Sequence, residues 1–98
     1  MIENKRNPQR IRRIMDLLET IWKSYPDMRF FQLIDMLQHK YSTDNNKFGK
    51  REAMEKDSKG YENLVSFIDL FYLEDDIVEE FLREYINDDR PKDFKDPF

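Results

Sequence analysis

The chain has 98 residues, 39% of them charged and 39% hydrophobic, which allows one modest core and leaves no room for a second. It contains no cysteine, so disulfide staples, thiolate metal sites and a cysteine nucleophile are excluded. The net charge of −4 conceals a polarity along the chain: residues 1–60 carry 13 Lys/Arg against 9 Asp/Glu, and residues 61–98 carry 4 against 12.

The opening stretch "IENKRNPQRIRR" is basic and lacks the apolar segment of a signal peptide. No apolar run approaches the roughly 20 residues that span a bilayer. A soluble, cytoplasmic protein without a membrane partner is the expectation.

The first predicted element is a helix that begins at Asn7-Pro8. Asn7 can cap, and Pro8 suits the first helical position, where a missing N–H costs nothing. Ile11, Ile14, Met15, Leu18, Ile21, Trp22 and Tyr25 recur at three- and four-residue steps as one apolar stripe. Pro26 ends the helix, because the residue before a proline is pushed out of the α region.

Asp27 can cap a second helix, with Phe30, Leu33, Ile34, Leu37 and Tyr41 as its core face. The short connection predicts an antiparallel hairpin of the two helices. Phe31 and Met36 fall off the main stripe and are read as extending a wide buried face.

Residues 42–60 change character, with only Phe48, Ala53 and Met54 apolar and with both of the chain's glycines. They read as a polar, flexible insertion, with a short solvated helix over 50–58 supported by Glu52 and Lys56 at i,i+4 spacing. "YENLVSFIDLFYL" fits either a helix or a short strand. The helix to about Ile68 is favoured, followed by an extended segment that buries Phe71 and Leu73, because one strand has no evident partner. A last helix starts at Asp75 or Asp76, with Asp76 and Glu79 at capping-box spacing and Ile77, Val78, Phe81, Leu82, Tyr85 and Ile86 as its stripe. Residues 88–98 form a polar tail.

Three segments carry a pattern: R-I-x-x-I, an I-W ahead of P-D-x-R-F-x-Q-L, and F-Y-x-E-D-D. Its positions here are Arg10, Ile11, Ile14, Ile21, Trp22, Pro26, Asp27, Arg29, Phe30, Gln32, Leu33, Phe71, Tyr72, Glu74, Asp75 and Asp76. In these residues the chain resembles a family of short, uncharacterised bacterial and bacteriophage proteins, over 8–40 and 69–82. The resemblance implies a fold and a phage or bacterial setting, and it brings no chemistry.

No catalytic constellation is legible. His39 is the single histidine, and the sequence offers it no orienting acid or nucleophile. The pairs Asp75/Glu79 and Asp76/Glu80 set carboxylates side by side, yet the spacing matches no calcium loop, and a helix start explains the same residues. There is neither a phosphate-cradling glycine loop nor a G-x-S-x-G elbow. No enzyme, cofactor or metal site is expected.

Two charged surfaces remain. Between Asp75 and Asp89 there are seven acids in fifteen residues, which as a helix of about 1.5 Å per residue gives one negative charge per roughly 3 Å. That approaches the phosphate spacing of a nucleic-acid strand, about 3.4 Å. A solvated helix face interrupted by Arg83 accounts for the same run. At the other end Arg6, Arg10 and Arg13 crowd a helix N-terminus against its dipole, an arrangement that a bound anion would relieve. Pairing with the acids of the last helix would relieve it equally, and would make the charge asymmetry internal cement. A helix-turn-helix reader is disfavoured, since "RFFQLIDMLQHK" is apolar around too much of its circumference.

The expectation is therefore an all-α single-domain bundle of three to four helices, the first two as an antiparallel hairpin. Its expected role is non-catalytic: a regulatory protein that binds another protein, with Asp75, Asp76, Glu79, Glu80, Glu84 and Phe48 as candidate contacts. An acidic nucleic-acid mimic that inhibits a host nucleic-acid enzyme or defence system is the first alternative. A phosphate- or nucleic-acid-binding regulator using Arg6, Arg10 and Arg13 is the second, though direct nucleic-acid binding is not favoured.

Overall fold

A computed structural model describes residues 6–88. The order of elements is α1 (Gln9–Ser24), α2 (Phe30–Asp44), β1 (Lys50–Lys56), β2 (Glu62–Ile68) and α3 (Asp75–Asn87). The fold is therefore α+β, which overturns the expected all-α bundle. The reason lies in residues 50–68, where both helical readings give way to an antiparallel hairpin. The tail from residue 89 onward and Lys5 lie outside the described residues.

Contacts divide the chain into two compact units. The first comprises residues 6–32 and 73–88, and the second residues 33–72.

In the first unit α1 starts as the sequence implies. The Asn7 side chain accepts the Gln9 N–H at 2.9 Å, and Pro8 holds φ −59° immediately ahead of the helix. Tyr25 leaves the α region and Pro26 follows. At the head of α2 the Arg29 N–H donates to the Gln32 side chain at 2.9 Å, a role expected of Asp27. Glu74 occupies the cap position of α3 with extended backbone and no side-chain cap bond, so the Asp76–Glu79 capping box is not formed.

The helix that α1 packs against in this unit is α3; the expected α1–α2 hairpin is not the pairing seen. Ile21, Met28, Leu82 and Tyr85 are buried here. Each aliphatic side chain so buried contributes about 1.5–3 kcal/mol relative to exposure. The Tyr25 and Tyr85 hydroxyls meet at 3.0 Å, which gives two half-apolar side chains a polar anchor.

In the second unit Leu33, Met36, Leu37, Tyr41 and Ser42 are buried along α2. Met36 is thus in the core as expected. Phe31, in the first unit, is not: it is 80% exposed. The helix ends at a reversal in which Asn46 takes φ 60° and the Lys47 N–H reaches back to the Ser42 carbonyl at 2.7 Å. Phe48 then sets its ring edge-on to Tyr41, centroids 5.8 Å apart.

The hairpin pairs Lys50 with Ile68 through to Lys56 with Glu62. Its loop is the chemistry of Asp57 and Gly60. The Asp57 carboxylate accepts the N–H groups of Lys59 (2.9 Å) and Tyr61 (3.0 Å), and Gly60 supplies φ +86°. At the open end Gly49 holds φ +80° so close to β2 that a Cβ there would lie 2.7 Å from the Asp69 carbonyl oxygen. Gly49 before β1 and the Asp57–Gly60 loop after it bound the strand at seven residues, too short for a stable helix, although Lys, Arg, Glu, Ala and Met all favour one.

Candidate functional site

The two charged surfaces singled out in the sequence meet each other in the first unit. Arg6 bonds Glu74 at 3.1 Å, Arg10 bonds Asp75 at 2.6 Å and Arg13 bonds Glu79 at 2.8 Å. Arg6 just precedes α1 and Glu74 stands at the cap position of α3, and the other two pairs join the first two turns of the helices, so the ion pairs form a ladder. Glu79 also accepts from Arg83 one turn further along its own helix. The Arg13 hydrogen bond is the chief reason that the Glu79 carboxyl is held below the usual carboxylate range; desolvation opposes it, and Arg83 adds to it. The basic arm is thereby occupied without an external anion.

Of the remaining candidate acids, Asp76, Glu80 and Glu84 are exposed. They lie four residues apart along α3 and have no basic partner among the described residues. His39, exposed on α2, takes up the carbonyl (2.9 Å) and the carboxylate (3.4 Å) of Asp35. Among the described residues no group of three or more His, Cys, Asp or Glu side chains could hold a metal ion. No helix among them is long and apolar enough to cross a membrane.

Some of what the sequence placed in the core lies outside it. The apolar stripe of α1 divides. Ile21 is buried and Ile14, Leu18, Trp22 and Tyr25 are half-buried, whereas Ile11 (56%) and Met15 (51%) are exposed. Met15, Leu18, Trp22, Pro26 and Phe30 line an open groove of about 490 Å³. The Trp22 indole N–H donates to the Met28 carbonyl at 2.7 Å, and its ring lies 5.6 Å from that of Phe30. These contacts fix the ring as the floor of the groove. The rim charges are already neutralised along α1, Arg12 by Asp16 (3.2 Å) and Lys23 by Glu19 (3.0 Å).

Comparison with family models, curated proteins and solved structures gave no match. The groove is the site with shape. Its lining is thioether, aliphatic and aromatic, with Arg12, Glu19 and Lys23 as the charged groups at its rim. It can remove apolar surface from water at about 25 cal/mol per Å².

Phe48, expected as a contact in a flexible insertion, is instead partly engaged with Tyr41. Sequence reasoning missed the apolar residues of the hairpin. Met54, Leu64 and Phe67 are all exposed, as is Tyr61 beside the loop. The signal that would have found them is the turn sequence Asp57-Ser58-Lys59-Gly60 between two seven-residue runs.

Proposed function

We propose that the chain is a non-catalytic protein-binding module, and that the α1 groove takes an apolar helical face of another protein. The observation that carries this reading is the α1 row Ile11, Met15, Leu18 and Trp22 with Phe30 of α2 beside it: Ile11, Met15 and Phe30 are exposed and Leu18 and Trp22 half-buried, on a helix that also packs on α3. Stripes of this kind at i, i+3, i+4 and i+7 recognise amphipathic helices. Because Arg12 and Lys23 are paired within α1, recognition rests on apolar contact and tolerates salt. The resemblance in the R-I-x-x-I, P-D-x-R-F-x-Q-L and F-Y-x-E-D-D segments suggests a phage or bacterial setting, and the cytoplasm is the proposed compartment.

The acidic-mimic reading is weakened by the ladder. Glu74, Asp75 and Glu79 are bound to arginines, so of the candidate acids Asp76, Glu80 and Glu84 are the ones left for a basic groove. The basic-arm reading is weakened by the same bonds.

The test is capture from bacterial lysate at low and high salt, with wild type beside Met15→Glu. A partner retained in high salt by wild type and lost by the variant is expected. Trp22, the single tryptophan, should shift its emission to the blue when that partner is added. Equal capture by both proteins, or an unmoved Trp22 emission, overturns the groove.

A further inference from the structure

We propose that the chain self-associates through the open edge of β2, which pairs antiparallel with the β2 of a second copy to make a four-stranded sheet. The proposal stands on the hairpin alone and is independent of the α1 groove.

The phase of the ladder decides which backbone groups are available. At the two ends of the register Asp57 donates to the Tyr61 carbonyl at 2.9 Å and Asp69 donates to the Gly49 carbonyl at 2.8 Å. Both are directly opposed pairs in the register that joins Lys50 to Ile68. Hydrogen-bonded pairs alternate with unbonded ones, so the bonded pairs between are Arg51–Phe67, Ala53–Val65 and Glu55–Asn63. The N–H and C=O groups of Glu62, Leu64, Ser66 and Ile68 therefore point away from β1. Among the described residues nothing pairs with them.

Both outer edges of a two-stranded sheet are open, but only one is guarded. Five of the seven residues of β1 are charged (Lys50, Arg51, Glu52, Glu55 and Lys56), the device by which edges avoid pairing. Glu62 is the one charged residue of the seven in β2. A hairpin with two strands is also marginal in water, and pairing to four relieves that.

The side chains of β2 fit themselves about a two-fold axis at Ser66. Ser66 would oppose Ser66 of the second copy as a bonded pair, in phase with the outward groups. Leu64 would oppose Ile68 of the second copy on one face. Val65 would oppose Phe67 of the second copy on the other, as an unbonded pair with the closest side-chain approach. Leu64 is 63% exposed and Phe67 47% exposed, so the pairing covers apolar surface on both faces. An axis at Val65 instead sets Leu64 against Ser66 and Phe67 against Asn63, and loses this match.

Light scattering on the full chain across a concentration series, with amide hydrogen exchange, tests the assignment. Wild type should move from 12.1 kDa toward twice that mass as concentration rises. The Leu64, Ser66 and Ile68 amides should gain protection in step, while the inward Val65 and Phe67 amides stay protected throughout. Ser66→Pro removes an outward N–H and none of the donors bonded to β1, and should abolish the dimer. Glu52→Pro makes the same change on the guarded edge and should leave it. Leu64→Lys, which keeps the backbone intact, is the second blocking variant should the proline disturb the hairpin. A chain that stays at 12.1 kDa to about 1 mM overturns the proposal. So does a dimer that survives both β2 variants, or one lost with Glu52→Pro.

Discussion

Arg13 of α1 donates to Glu79 of α3 at 2.8 Å, and the carboxylate side chain it meets is only 12% exposed. Glu79 is thus the most enclosed acid of the ladder and the one with two arginines, since Arg83 also donates to it. Its carboxyl is held below the usual range by the Arg13 hydrogen bond, against the pull of desolvation. A depressed folded pKa means that the stabilisation is present above the unfolded value, about 4.3 for Glu, and is lost as pH falls through the lower folded value. The Tm should therefore fall on acidification through that window. Glu79→Gln should lower the Tm at neutral pH and flatten the acid limb, and Glu80→Gln should do neither. Thermal unfolding followed by circular dichroism between neutral and strongly acidic pH gives both curves.

Tyr85 carries the opposite sign. Burial, and then its hydrogen bond with Tyr25, push its phenol well above the ordinary tyrosine range. The folded state holds that proton where the unfolded chain, with a pKa of about 10, releases it. Stability should be full below about pH 10 and decline as pH rises above it. Tyr85→Phe should remove part of this alkaline loss and cost about 1 kcal/mol at neutral pH for the missing hydroxyl pair. Phenolate absorbance in the ultraviolet, followed with unfolding, separates Tyr85 from the exposed tyrosines such as Tyr72.

The two glycines should respond unequally to alanine. Gly60 has φ +86° and open space around a Cβ, so Gly60→Ala meets only the left-handed backbone cost of about 1–2 kcal/mol. Gly49 adds a collision, since a Cβ there would stand 2.7 Å from the Asp69 carbonyl oxygen and 2.8 Å from a Leu70 methyl. The methyl can rotate aside, whereas the carbonyl is main chain of Asp69, whose N–H is bonded to the Gly49 carbonyl, and cannot. Gly49→Ala should therefore weaken protection of the hairpin amides more than Gly60→Ala, and Gly60→Asn should recover part of the loss. Amide exchange on Val65 and Phe67 measures all three.

How much of this was legible in the sequence follows from which forces were local. Asn7, Pro8 and Pro26 bound α1 through side-chain and ring geometry within a few residues, and the structure follows them. The helix α3 starts at Asp75, one of the two expected positions, with acids in its first turn but without the capping box that was read there. The pairing of Arg10 and Arg13 with Asp75 and Glu79 was foreseen as one of two ways to relieve crowded positive charge, and only the fold could choose between them. The hairpin was missed because β1 has no strand preference of its own. Glu52 and Lys56 read as a helical pair, and strand formation there depends on β2 across the loop. Phe31 was misjudged because hydrophobicity reports what a residue favours, while its neighbours decide whether anything covers it.

Leu33 and Phe31, two positions apart on α2, make that last distinction measurable. Leu33 is fully buried (0% exposed) and Phe31 is 80% exposed, touching the Phe30 ring edge-on at 5.2 Å. Leu33→Ala should cost about 2–5 kcal/mol, the transfer free energy of the lost carbons plus the cavity they leave. Phe31→Ala removes more carbon atoms, yet those atoms are already in water, and the loss reduces to one ring–ring contact of about 0.5–1.5 kcal/mol. Urea unfolding should place the Leu33→Ala midpoint far below wild type and the Phe31→Ala midpoint near it, with the same slope. The larger residue thus gives the smaller effect, an ordering that a hydrophobicity scale inverts. If Phe31→Ala were as costly as Leu33→Ala at high protein concentration and mild on dilution, Phe31 would be covered in solution by another molecule. Equal cost at every concentration would mean that the ring is buried within its own chain, contrary to its exposure here.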